Sequence, residues 1–284
     1  MKAPKRLQPL IEEGMVDAVL RQLMSGKEAT VYVVRCGDDI RCAKVYKEAN
    51  RRSFHQAVSY QEGRRVKNSR QARAMEKGSR YGRQMAEEAW QNAEVDALYR
   101  LAAAGVRVPK PFLCFEGVLL MELVADAAGN VAPRLADVEF SEATALDYHA
   151  QLVRQVVLML CAGVVHGDLS EYNILVDAHG PVIIDLPQAV DAAGNNQAGP
   201  MLERDVGNIS SYFSRFAPQL AGAQYGKEIW RLYEKGLLKP DTPLTGRVAQ
   251  DTRQADVGAV MQAIALAEKE EAERQRRIAL ANAP

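Results

Sequence analysis

Residues 164–185, VVHGDLSEYNILVDAHGPVIID, restrict the fold more than any other stretch of this chain. Two apolar runs, Ile174–Val176 and Val182–Ile184, flank a turn-forming segment, Asp177–Gly180, which is the pattern of a tight hairpin. In such a hairpin Asn173 and Asp185 stand at the same end, with Asp168 five residues ahead of Asn173 on the entering loop. Each polar residue alone is an ordinary cap or turn former. Together they suit one chemistry. An amide oxygen and a carboxylate side by side offer a hard cation such as Mg²⁺ two of its oxygens, waters and phosphates supplying the rest. Asp168, left off the metal, is placed to accept a proton from an attacking hydroxyl, the arrangement of phosphoryl transfer.

The first third of the chain carries a second constellation. Thr30–Val34 and Ile40–Tyr46 read as a β-hairpin broken at Gly37-Asp38-Asp39. Ser25-Gly26-Lys27-Glu28 just before it supplies backbone N–H groups for phosphates. Lys44 lies inside the second strand between Ala43 and Val45, where a cation needs an anionic partner. A helix predicted over 84–104, closing at Gly105, offers Glu94 and Asp96, and spacing does not separate them. A lysine on a strand paired to a helix glutamate is the arrangement that holds nucleotide phosphates in kinases.

The remainder fills in around these motifs. Residues 1–20 read as a short amphipathic helix through Leu10, Ile11, Met15, Val19 and Leu20. Phe112–Phe115 and Val118–Met121 form two short strands, turned at Glu116-Gly117. Ser141 caps a long helix to Leu160 with an apolar stripe of Leu152, Val153, Val156, Val157 and Leu160, and Cys161 extends that stripe into the core. Residues 200–216 and 226–238 are further helices, and the last 30 residues read as a charged, fraying one. His55, His149 and His179 are surface or packing residues, and His166 orients the loop rather than acting as a base.

From Arg64 to Arg83 eight basic residues face one acid, Glu76, in a segment expected to be flexible over about 50–83. It is either a solvated insertion or a contact for RNA or a ribosomal particle. Lys plus Arg equals Asp plus Glu, 36 each, so any nucleic-acid contact rests on this local patch. The four cysteines form no C-x-x-C pair, which fits a reducing compartment, and no run of about 18–20 apolar residues appears. The expected location is cytoplasmic, without membrane contact.

The chain resembles the RIO family of atypical serine/threonine protein kinases, in particular its first branch and at prokaryotic size. The resemblance runs from about residue 20 to about 216, on SGKEATVY, AKVYK, GVRVPKP, LLMELV, APRLADVE, HGDLSEYNIL, VIIDLPQAV and ERDV. It implies an α+β, bilobal protein-kinase-like fold: an N-terminal extension (1–19), a β-rich N-lobe with one long helix (20–123), a mainly helical C-lobe (124–240) and a charged tail (241–284). It further implies Lys44 as the phosphate-binding lysine, Glu94 as its partner, and Asp168 as the catalytic aspartate. Asn173 and Asp185 would be the metal ligands, and Met121, Glu122 and Leu123 the adenine-contacting hinge. The cofactors are ATP and Mg²⁺, with Mn²⁺ as an alternative ion. Family members have been described as forming a phosphoaspartate at the position matching Asp185, so the γ-phosphoryl goes to a protein serine, autophosphorylation included, or transiently to Asp185 in an ATPase-like turnover.

Gly167 stands where ordinary protein kinases have the arginine of H-R-D, Leu-Pro follows the metal aspartate, and no A-P-E follows, so a conventional activation loop is not expected. Two rival readings accompany this one. A nucleotide-gated ribosome-assembly factor would use ATP as ligand and 64–83 as contact surface. A small-molecule kinase of aminoglycoside or choline type shares the H-G-D…N…D skeleton, but SEYN with IDLPQ argues against it.

Overall fold

A computed structural model describes residues 3–26, 28–47 and 93–248. The basic segment, Lys27, His55, the first part of the predicted helix (84–92) and the charged C-terminal helix lie outside the described residues. The chain divides after Arg247, and all the described helices and strands belong to the first unit.

Five antiparallel strands build the N-lobe: β1 (Ala18–Ser25), β2 (Ala29–Cys36), β3 (Asp39–Tyr46), β4 (Pro111–Phe115) and β5 (Val118–Glu122), in the order β1-β2-β3-β5-β4. The β2–β3 hairpin forms as its turn residues predict, with Val31 opposite Lys44. Strand alternation gives this sheet two buried faces. Val34, Ala43, Val45, Val118 and Leu120 point to one side, where Leu7, Leu10 and Val16 of the N-terminal segment cover them. Ala29, Tyr46 and Leu119 point to the other, against Val95, Leu98 and Leu101 of the helix at 93–103.

The N-terminal segment departs from the helical expectation. A single 3-10 turn leads into α1 (Gln8–Glu12), and Gly14 at φ +69 ends the run. Val19 and Leu20 then belong to β1. The irregular pairing of β1, with register shifts between Val19 and Arg21 and between Gln22 and Met24, breaks the alternation that marks a strand. Leu7 and Val16 are fully buried, each worth about 1.5–3 kcal/mol of burial, so this segment is part of the N-lobe core.

The described helix at 93–103 is α2. It ends at Gly105, whose φ of +77 suits a C′ residue. In the C-lobe α3 (Glu142–Cys161) begins at Ser141, whose Oγ accepts from the Thr144 N–H at 3.1 Å. Its predicted stripe is buried throughout, but Cys161 is exposed and not core. The two-stranded pair β6 (Val164–Val165) with β9 (Val190–Asp191), the hairpin β7 (Ile174–Asp177) with β8 (Gly180–Ile183), α4 (Ala198–Phe213) and α5 (Tyr225–Glu234) complete the unit. No helix among the described residues is long and apolar enough to cross a membrane.

Candidate active site

The hairpin β7–β8 pairs Ile174 with Ile183 and Asp177 with Gly180. Beyond the last pair, the Ile184 N–H donates to the Asn173 carbonyl at 3.0 Å. The backbone therefore brings Asn173 to the residue preceding Asp185, as the spacing predicts. Asp185 adopts φ +66, a left-handed conformation that only short polar residues and glycine enter readily. Its side chain is 46% exposed, and Oδ1 accepts from Lys44 Nζ at 3.0 Å.

Lys44 is the junction of the two lobes. Its side chain is 11% exposed, and the ammonium also donates to Glu94 Oε1 at 2.5 Å. Glu94 is buried and Asp96 is exposed, which settles the choice that spacing leaves open. Burial alone would push the Lys44 pKa down, but Glu94 and Asp185 outweigh it and hold the pKa above the ordinary lysine value. Lys44, Glu94, Leu98, Met121, Ile184 and Asp185 line one cavity, together with Pro109, Leu119 and Leu186.

Asp168 is exposed on the loop after β6. Asn173 Nδ2 donates to the Asp168 carbonyl at 2.8 Å and lies 3.5 Å from its Oδ2, which leaves the Asn173 amide oxygen for another partner. Gln188 Nε2 also lies 3.5 Å from Asp168 Oδ2. His166 is buried, and burial pushes its pKa down. The Asp168 N–H donates to its Nδ1 at 3.3 Å, so Nε2 carries the proton and donates to the Ile184 carbonyl at 3.1 Å. His166 thus ties the loop carrying Asp168 to the strand end carrying Asp185.

Several supporting residues are not singled out by the sequence. Asp205 on α4 is 2% exposed. It accepts from Gly167 N at 2.8 Å through Oδ2 and from Leu169 N at 3.1 Å through Oδ1, gripping the loop on both sides of Asp168. Burial pushes its pKa up to about 7 even though both N–H groups favour the carboxylate. Arg204 donates to the Gly167 carbonyl and Asn208 to that of Leu169, the latter at 3.2 Å. The only trace of this clamp in the sequence is the motif ERDV itself. Lys47 Nζ donates to Ser25 Oγ at 3.0 Å and to the Gly26 carbonyl at 2.6 Å, and its N–H to the Glu28 carbonyl at 2.8 Å. It fastens the β1–β2 turn to the end of β3. Gly26 and Glu28 sit in that turn, and Ser25 ends β1 beside it. Of the predicted hinge trio Met121 lines the cavity, whereas Glu122 is exposed and accepts from Lys110 N at 3.1 Å.

A β-rich lobe carrying a lysine–glutamate pair, set on a helical lobe whose hairpin end presents Asp168, Asn173 and Asp185, defines the protein-kinase-like class. A family model described as RIO domain matches residues 30–225. The RIO-type serine/threonine-protein kinase Rio1 of Haloferax volcanii is 36% identical over 208 residues, covering 72% of this chain and 67% of that protein. The serine/threonine-protein kinase rio1 of Schizosaccharomyces pombe is 31% identical over 215 residues, 74% of this chain but 41% of its own length. A third relative, the RIO-type serine/threonine-protein kinase Rio1 of Methanocaldococcus jannaschii, is 34% identical over 193 residues, 67% of this chain and 61% of that one. This chain belongs to the RIO family. It spans less than two thirds of the length of the last two relatives.

Proposed function

We propose that the chain is an ATP- and Mg²⁺-dependent serine/threonine protein kinase of RIO type. Lys44 bonded at once to Glu94 and to Asp185 is the observation that supports this most, because it assembles a phosphate-binding cation and a metal-binding carboxylate at one cavity. Lys44 neutralises the non-reacting phosphates, held toward them by Glu94. Ser25, Gly26, Lys27 and Glu28 cover the phosphates, and Met121 with Glu122 and Leu123 borders adenine. Asp168 aligns the attacking hydroxyl and takes its proton, and the bonds from His166 and Asp205 keep it in place.

The donor set fits Mg²⁺: Asn173 has its N–H₂ engaged and its oxygen turned elsewhere, and Asp185 has an exposed carboxylate. When bound there, the ion supplies charge neutralisation at the phosphates. Two hydroxyl-bearing side chains on the strands flanking the turn, Ser25 and Thr30, lie 3.3 Å apart and give the phosphate cover polar contacts that glycines would not.

The γ-phosphoryl goes to a serine hydroxyl of a protein, the chain itself included, or transiently to Asp185. Asp185 is the exposed one of Lys44's two carboxylate partners, which favours keeping this second acceptor. Labelling the full chain with [γ-³²P]ATP and Mg²⁺ tests the reading. A phosphoserine label survives acid and hydroxylamine, whereas an acyl phosphate on Asp185 is released by hydroxylamine and absent from Asp185→Ala. No label and no ATP turnover would refute the kinase assignment.

A further inference from the structure

Lys44 and Tyr46 are two residues apart on β3 and so share its inner face, while Ala43 and Val45 pack on the N-terminal segment. Tyr46 is 1% exposed, and for packing alone phenylalanine would serve. Its hydroxyl donates instead to Glu94 Oε2 at 2.8 Å, while Oε1 of the same carboxylate accepts from Lys44. The Lys44 ammonium also stands 5.6 Å from the centre of the Tyr46 ring. Each Glu94 oxygen therefore has its own donor, one from each of two neighbouring side chains of a single strand. A carboxylate held at both oxygens cannot rotate, and Glu94 is too buried (4% exposed) for water to stand in for the phenol.

Lys44 has two carboxylate partners of unequal freedom. Asp185 is exposed and able to turn to another ligand; Glu94 is enclosed and must stay. We infer that Tyr46 is a positioning residue of the nucleotide site, its hydroxyl locking the Glu94 carboxylate so that Lys44 keeps one fixed partner when Asp185 is engaged elsewhere. The inference rests on the kinase reading above, and it adds to the lysine–glutamate pair a third member that the pair's own logic does not require.

The test is a double-mutant cycle in the full chain: Tyr46→Phe, Glu94→Ala and both together, read by Mg²⁺·ATP turnover, by calorimetric Mg²⁺·ATP binding and by thermal melting. Tyr46→Phe keeps the ring and removes only the donor. It is expected to raise KM for Mg²⁺·ATP about tenfold, the scale of losses in supporting groups. The kcat changes little, since Lys44 holds non-reacting phosphates equally in the bound and transition states. In the Glu94→Ala background the same substitution has no further effect. Unchanged KM beside an active wild type, a loss confined to kcat, or an equal loss in both backgrounds would overturn the inference. A wild type that neither binds nor turns over Mg²⁺·ATP would instead sink the functional reading, and the inference with it.

Discussion

Replacing Asp205 with asparagine isolates the clamp on the catalytic loop. In the native protein the two carboxylate oxygens accept from Gly167 N at 2.8 Å and Leu169 N at 3.1 Å. A side-chain amide is not the equal of this group: one acceptor survives, and the other N–H faces an N–H₂. A hydrogen bond to a charged group is worth about 1.5–3 kcal/mol, and a stranded buried donor costs about 1–3 kcal/mol. Relief of the buried charge, visible in a pKa pushed up to about 7, offsets part of this. The expected net loss is about 2–3 kcal/mol, or a melting temperature lower by about 4–12 °C for a domain of this size. Activity should fall further than stability, because a shift of about 1 Å in a positioned group is worth about 100-fold.

The pH dependence supplies a sign. Folding raises the Asp205 pKa from the ordinary carboxylate value, 3.8, to about 7, so the folded state binds the proton more tightly than the unfolded chain. Stability from this group is full below about pH 4 and declines as pH rises to about 7, by at most about 1.4 kcal/mol per pH unit. Melting by circular dichroism and Mg²⁺·ATP turnover measure both effects. Wild-type turnover in Asp205→Asn would refute the reasoning and shift the anchoring to Arg204 and Asn208.

Lys44→Met leaves Glu94 buried with its charge uncompensated. It is expected to cost about 3–5 kcal/mol in chemical denaturation, and adding Glu94→Gln restores much of the stability but not nucleotide binding. His149 is buried, bonded to Ser210 Oγ at 2.9 Å, with burial depressing its pKa to about 4. Because the unfolded chain takes that proton first, stability falls as pH drops from about 6.5 toward 4, and His149→Gln flattens this limb in pH-dependent melts.

Legibility follows the range of the interactions. The β2–β3 and β7–β8 hairpins and the Ser141 cap are readable because turn and cap chemistry lies within a few residues of the element it defines. Lys44 stands out as a candidate because a cation inside an apolar strand needs an anionic partner, and Asp168, Asn173 and Asp185 stand out because polar residues gather at the ends of apolar strands. β1 is hidden because two register shifts erase its alternation, so Val19 and Leu20 fit a helix equally well. Cys161 misleads because one residue past a buried stripe the helix turns its side chain to solvent. Asp205 and Tyr46 act on residues 36–38 and 48 positions away, and no local pattern marks a buried acceptor or donor by what it will meet.

The central claim is that Asp168 and Asp185 have separate tasks in one transfer. Both are exposed, so alanine at either position should leave the fold, and its circular dichroism, intact, with Asp185→Ala melting somewhat lower because alanine enters the φ +66 conformation less readily. The most direct measurement is steady-state Mg²⁺·ATP turnover of Asp168→Ala and Asp185→Ala beside wild type. Both variants are expected to remain folded and to lose turnover, with Mg²⁺-dependent nucleotide binding weakened in Asp185→Ala and retained in Asp168→Ala. Full turnover in Asp185→Ala would contradict the claim.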